Sequence, residues 1–207
     1  ESLSELRRFI LSNSDNERKD ALESILIHQQ NDFREIFELI QDKPTVIRLL
    51  DMPLHEFLPN SKQDIEIVAS QQNVSVEDIS QRLTGLKELN PMLGHRGCRL
   101  AMTYPGLYLM QAEAIMLAAI ELNNKDIAVK PEIMIPLVST ERETAYLREI
   151  IQERIEALLE EHQVQLAYTI GAMIETPRAS LIADNIAQHS DFCSFGTNDL
   201  TQMAFGY

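Results

Sequence analysis

Basic residues, cysteines and long apolar runs are all scarce in this chain, and each scarcity removes a class of function. Lys and Arg number 18 against 32 Asp and Glu in 207 residues, a formal net charge of -14. A surface that acidic repels nucleic-acid phosphates, and no basic stripe with interleaved aromatics offsets it, so nucleic acid is not an expected partner. No apolar run approaches the roughly 20 residues that a membrane span requires, and no basic, apolar, small-residue leader opens the chain. No membrane association is expected, and the simplest home is the cytoplasm. The two cysteines, Cys98 and Cys193, are far apart and lack metal-ligand spacing, so both read as buried and reduced. The five histidines (His28, His55, His95, His162 and His189) form no ligand cluster, and no Ser/His/Asp order stands out. Tandem repeats, low-complexity tracts and long linkers are absent as well.

What remains is an alternation of two periodicities. Apolar residues recur at helical spacing over Glu17 to Ile40, through Leu22, Ile25, Leu26, Phe33, Ile36, Phe37 and Ile40, until Lys43-Pro44 ends the pattern. A β-branched strand follows, Thr45 to Leu50, and then Asp51 and a proline-bearing loop, Met52 to Asn60. Ser75-Val76-Glu77-Asp78 opens a short helix. Asn90 to Gly97 is rich in turn residues and is read as flanking a short strand. Tyr104-Pro105 leads into another helix. Glu132 to Val138 is a near-continuous apolar run, as expected of a strand buried on both faces. Thr140 caps the next helix, which carries Leu147, Ile151, Ile155 and Leu158 on one stripe. Strands over Leu166 to Ile174 and Phe192 to Phe195 complete the pattern, each giving way to a helix.

Strands alternating with helices imply a parallel sheet. About five strand–helix units fall short of the eight strands and roughly 250 residues of a closed (β/α)8 barrel. The fold class expected is α/β, a partial (β/α)8 TIM barrel, and residues 1–207 are read as one such domain.

Ligands of such barrels bind where strands end and helices begin. Asp51, Glu175, Asn198 and Asp199 fall at such ends. A magnesium ion takes hard oxygen ligands, commonly one or two carboxylates, and Glu175 and Asp199 can supply that pair. The alternative is that both merely cap helices or pair with arginines. Gly196-Thr197-Asn198-Asp199 can hold an anion on the free N–H groups of a helix start, or be a well-capped helix with no ligand. Arg48 interrupts an apolar strand, so it either reaches a ligand anion or makes a structural ion pair. Strand alternation would point it away from Asp51. Arg96, between two glycines in Gly94-His95-Arg96-Gly97, has the same two readings. Cys193 lies in a strand and is read as core.

Taken together, these segments resemble a known family. Thr45 to Pro59, with its Leu-His-Glu-Phe-Leu-Pro loop, Asn90 to Arg99, Pro131 to Val138, Met173 to Arg178 and Phe195 to Gln202 are similar, in that order, to the barrel signature of the pyruvate, phosphate dikinases. These belong to the phosphoenolpyruvate-utilising enzymes. Phosphoenolpyruvate synthase and enzyme I of the sugar phosphotransferase system share the Glu-Thr-Pro and Gly-Thr-Asn-Asp elements, and the Leu-His-Glu-Phe-Leu-Pro loop favours the dikinases over both. The resemblance implies a barrel that binds phosphoenolpyruvate and pyruvate and exchanges a phosphoryl group with a histidine on a mobile domain, while a separate domain handles ATP and phosphate. Carried onto this sequence, Glu175 and Asp199 bind Mg2+, Arg48 clamps the phosphoryl group, Arg96 is a further phosphate contact, and Gly196, Thr197, Asn198 and Asp199 hold the substrate.

The family's phosphohistidine motif, its nucleotide-binding domain, its first barrel strand and its acid/base cysteine have no counterpart here, and neither Cys98 nor Cys193 matches that cysteine. The expectation is a piece covering about strands two to six, truncated at both ends, with no turnover by itself and with sheet edges that favour self-association. A plastid or glycosome is open for the parent enzyme. Two other readings are a binding module that keeps the fold without the reaction, and a carbon–carbon lyase on the related barrel.

Overall fold

Among the described residues, four short parallel strands carry the architecture, and their order in space repeats their order in the chain. The computed structural model describes residues 2–12, 14–86 and 93–206. Strands β1 (Pro44–Arg48), β2 (Lys130–Ile135), β3 (Thr169–Ile174) and β4 (Cys193–Phe195) pair as β1-β2-β3-β4. All three pairings are parallel, with Ile47 opposite Ile133, Ile133 opposite Ile170 and Ala172 opposite Cys193. A doubly wound sheet reverses its order at a switch point, whereas a barrel advances one strand at a time. The sheet is that of a partial (β/α)8 barrel.

By its internal contacts the chain forms two compact units, Glu1–His28 with Met52–His95, and Gln29–Asp51 with Arg96–Tyr207. The first unit holds α1 (Ser2–Leu11), the start of α2 (Asp15–Ile40), α3 (Leu54–Phe57), α4 (Lys62–Gln72) and α5 (Val76–Leu86). Leu11, Leu58, Val68, Ala69 and Ile79 form its apolar centre. Ser61 caps α4 by accepting from the Asp64 amide at 3.0 Å, and Asn73 ends that helix in the left-handed conformation.

The second unit holds the sheet together with α6 (Gly97–Thr103), α7 (Pro105–Asn123), α8 (Glu141–Glu161), α9 (Pro177–Leu181), α10 (Ala183–Ala187) and α11 (Thr197–Phe205). Its core joins Ile133, Ile135, Ile170, Ala172 and Ile174 of the strands to Ala112, Ile115, Ala119, Leu147 and Ile151 of α7 and α8. Helix α8 begins at a full capping box, in which Thr140 and Glu143 satisfy each other's backbone amides. Arg154 of α8 grips Glu113 of α7 through two hydrogen bonds, of 3.1 and 2.7 Å.

Several expectations need correction. Helix α3 lies within the segment expected to be loop, and α4 lies in a stretch where the pattern showed nothing. The strand expected over Glu132 to Val138 stops at Ile135, because Pro136 has no N–H to donate and Leu137 takes a φ of 58°. The strand beside Asn90 to Gly97 lies in part outside the described residues; from Leu93 the chain turns and enters α6. Cys193 is exposed, not core, because β4 is an edge strand of the described sheet.

The amino-terminal ends of β3 and β4 are latched by charge. Arg148 donates to the Ile170 carbonyl at 2.7 Å and to Asp191 at 2.8 Å, while Asp191 accepts from the Ile170 amide at 2.8 Å. Partial burial pushes the Asp191 carboxyl up, but Arg148 and the Ile170 amide outweigh it and hold the group below its ordinary value near 3.8. A depressed folded value means stability that is present above the unfolded value and lost as pH falls through the folded one. The stability gap between the parent chain and Asp191→Asn, measured by urea unfolding, should stay constant from about pH 7 to pH 5 and close in more acid solution. Its size should be no more than about 1 kcal/mol, since the pair is partly solvated.

Candidate functional site

Each of the four strands delivers one part of the site at its carboxyl end. Arg48 is the last residue of β1 and Asp51 lies three further on; Leu137 follows β2; Glu175 follows β3; Gly196 follows β4 and leads into α11, which bears Asp199. Asp51, Glu175 and Asp199 are all buried, at 5%, 1% and 8% exposure. One oxygen of each lies within 4.8 Å of one from each of the others.

The turn after β1 explains how Arg48 and Asp51 meet. Alternation would set them on opposite faces, yet Arg48 Nη1 stands 3.5 Å from Asp51 Oδ2. The ladder ends first: the Leu49 amide still donates to Met134, but the Leu50 amide donates to the Gln111 side chain at 2.8 Å, and the Leu50 carbonyl accepts from the Tyr108 hydroxyl at 2.8 Å. Two residues of α7, one turn apart, thus replace the neighbouring strand, and the period of two no longer holds. Nor is Arg48 buried; its side chain is 49% exposed, with Nη1 3.9 Å from Met173 Sδ.

Arg96 is the buried cation. Its Nη2 donates to Asp51 Oδ2 at 2.6 Å and to Asp199 Oδ2 at 3.2 Å, and its Nε donates to the Asp51 carbonyl at 2.9 Å. Burial would lower its pKa, but Asp51, Asp199 and Glu175 outweigh that and raise it. Glu175 fares differently. It accepts from the Leu137 amide at 2.6 Å, but burial, with Asp51 and Asp199 adding repulsion, pushes its carboxyl up to about 7.

Two glycines make room for this crowding. A Cβ at Gly97, whose φ is 56°, would lie 2.8 Å from Asp51 Oδ1; one at Gly196 would lie 2.6 Å from Glu175 Cβ. Thr197 and Asn198 stand exposed on the first turn of α11. The structure therefore brings Arg48, Arg96, Glu175, Gly196 and Asp199 together with Asp51. Asp51 was visible in the sequence only as a carboxylate at a strand end. The roles of Leu137, Tyr108 and Gln111 had no sequence signal, since all three act on or through backbone.

Chemically, three clustered carboxylates face two guanidiniums, and the carboxylate without a guanidinium hydrogen bond is the one forced toward neutrality. Buried charge needs pairing. A hard divalent cation between Glu175 and Asp199 would satisfy it, so the donor set fits Mg2+.

Comparison with known proteins shows the family. The model of the PEP-utilising enzyme, PEP-binding domain matches residues 8–207. The chain belongs to the PEP-utilising enzyme family. Pyruvate, phosphate dikinase of Clostridium symbiosum is 42% identical over 203 residues, which is 98% of this chain and 23% of that protein. The chloroplastic pyruvate, phosphate dikinase of Mesembryanthemum crystallinum is 46% identical over 98% of this chain and 22% of its own length. The pyruvate, phosphate dikinase of Rhizobium meliloti (strain 1021) is 46% identical over 97% and 22%. The chain thus spans less than a quarter of these relatives. Among the described residues of this PEP-utilising family member, no helix is long and apolar enough to cross a membrane.

The raised Glu175 value has a measurable sign. A carboxylate whose folded pKa lies above its ordinary value near 4.5 makes the fold less stable as pH rises from there to about 7, with no further loss above. In chelator, the metal-free chain should lose stability between about pH 4.5 and pH 7, by on the order of 3 kcal/mol for that gap. Glu175→Gln should remove this part of the slope, as followed by chemical unfolding at each pH.

Proposed function

We propose that this chain forms the part of a pyruvate, phosphate dikinase that binds phosphoenolpyruvate and pyruvate. The whole enzyme would convert ATP, phosphate and pyruvate to AMP, diphosphate and phosphoenolpyruvate through a phosphohistidine. The observation that carries the reading is the convergence of Arg48, Arg96, Glu175 and Asp199 at the carboxyl ends of parallel strands, in a chain 42–46% identical to the dikinases named above.

In this reading Glu175 and Asp199 hold Mg2+, which supplies positive charge against a phosphorylated three-carbon acid. Arg48 stands half-exposed with its guanidinium free to turn from Asp51 to an incoming phosphoryl group, where a planar fork of donors gives bidentate contact. Arg96 is held by Asp51 and Asp199, and serves the phosphoryl group from a fixed position. Gly196, Thr197 and Asn198 present the start of α11 to the substrate, where backbone N–H groups favour negative charge. Such fixed charges stabilise a transferring phosphoryl group without reorganising as it moves. The phosphohistidine and nucleotide-binding domains would belong to the remaining three quarters of a dikinase. Self-association through the sheet edges at β1 and β4 belongs to the same proposal.

Calorimetric titration of the purified chain with phosphoenolpyruvate, with and without Mg2+, tests the site. Binding should require Mg2+ and vanish in Glu175→Ala, while Arg48→Ala should weaken it about tenfold or more, the loss of a charge-assisted contact. A well-folded chain that ignores phosphoenolpyruvate in the presence of Mg2+ would refute the reading.

A further inference from the structure

Leu137 is a branched, fully buried side chain on a backbone with φ of 58°, a region that non-glycine residues seldom occupy. Such a conformation persists only where its surroundings over-determine it. Here they do so from both sides. The Leu137 amide donates to Glu175 Oε1 at 2.6 Å, and its carbonyl accepts from the Cys98 thiol at 2.9 Å. The Cys98 amide in turn donates to the Pro136 carbonyl at 3.2 Å. One residue therefore holds two successive carbonyls of the turn after β2. The neighbouring Gly97 leaves the space they need, since a Cβ there would lie 2.8 Å from Leu137 Cβ.

We infer that Cys98 is a positioning residue for the candidate cation site: its thiol and amide lock Leu137 in the left-handed conformation, so that the Leu137 amide fixes Glu175 by one carboxylate oxygen and leaves the other for the ion. Cys98 acts here as a hydrogen-bond donor to backbone, a role distinct from acid/base or nucleophilic use of a thiol. Burial pushes that thiol up to about 12, so it keeps the proton it donates. An amide donor commits one oxygen lone pair of Glu175 before any ion arrives, and groups that orient a ligand in this way typically change metal affinity 10–100-fold when altered. The inference rests on the cation reading of the cluster, and its test separates the two.

The test uses the 15N-labelled chain of 207 residues with Cys98→Ser, which keeps a donor of similar size, and Cys98→Ala, which removes it. Glu175→Gln identifies the Leu137 amide signal, because that amide should move upfield when its charged acceptor is lost. Cys98→Ala should move the same signal upfield and weaken Mg2+ binding about tenfold, while Cys98→Ser restores the signal and stays within about twofold of the parent. The inference is overturned if Cys98→Ala leaves the Leu137 amide and the Mg2+ affinity unchanged, or if Cys98→Ser fails as fully as Cys98→Ala, which would make side-chain volume the cause. If the unaltered chain binds no Mg2+, the cation reading falls and with it the purpose assigned to the clamp, while the Leu137 signal still decides whether the clamp exists. Spectral dispersion shows in each case that the variant is folded.

Discussion

Burying like charges together is the constraint around which the carboxyl-terminal ends of the strands are organised. Asp51, Glu175 and Asp199 are drawn from three different strand ends, and all three are buried. Repulsion of this kind is tolerated only when opposite charge and directed donors are supplied at the same depth. Arg96 answers for two of the three, bridging Asp51 and Asp199. The third, Glu175, receives a backbone amide and is driven toward its neutral form. That division follows from where the elements sit. Gly97 lets α6 begin against Asp51, Gly196 lets α11 begin against Glu175, and Leu137 adopts its unusual φ. The local departures from regular backbone serve a single electrostatic arrangement.

Much of the sheet could be read from the chain, because parallel strands buried on both faces write themselves as apolar runs. Ile133 to Ile135 and Ile170 to Ile174 are such runs, and Thr140 and Thr176 announce the helices that follow. What escaped reading involved groups that sequence patterns do not display. Arg48 and Asp51 converge because Tyr108 and Gln111, some sixty residues away, take over the backbone of Leu50. Helix α6 begins at Gly97, the last residue of the stretch whose glycines suggested turns. Cys193 has the local pattern of a core residue, and only its place at the edge of the described sheet exposes it. The carboxylates Glu175 and Asp199 were legible as candidates, since an acidic residue where a strand yields to a helix is a local signal. That Asp51 joins them is a property of three dimensions.

Family membership and geometry reinforce one another without repeating the same information. Identity to the dikinases runs over nearly the whole chain, yet it covers under a quarter of each of those proteins. It points to a kind of site without showing how that site is built. The site itself sets a half-exposed arginine beside a buried one, and a carboxylate cluster with one group held short of full ionisation. The half-exposed Arg48 and the buried Arg96 meet the same carboxylate, Asp51, from different depths.

The latch of Arg148, Asp191 and the Ile170 backbone lies at the opposite ends of the strands from the carboxylates. The two ends of the sheet therefore share none of these contacts. Changes that tighten the latch can raise robustness without touching the groups that would meet a ligand, and the crowded end is free to keep an arrangement that is unfavourable for folding. A sheet of this polarity can gather mutational tolerance at one end and draw on it at the other, which is a route by which new specificities arise on an unchanged frame.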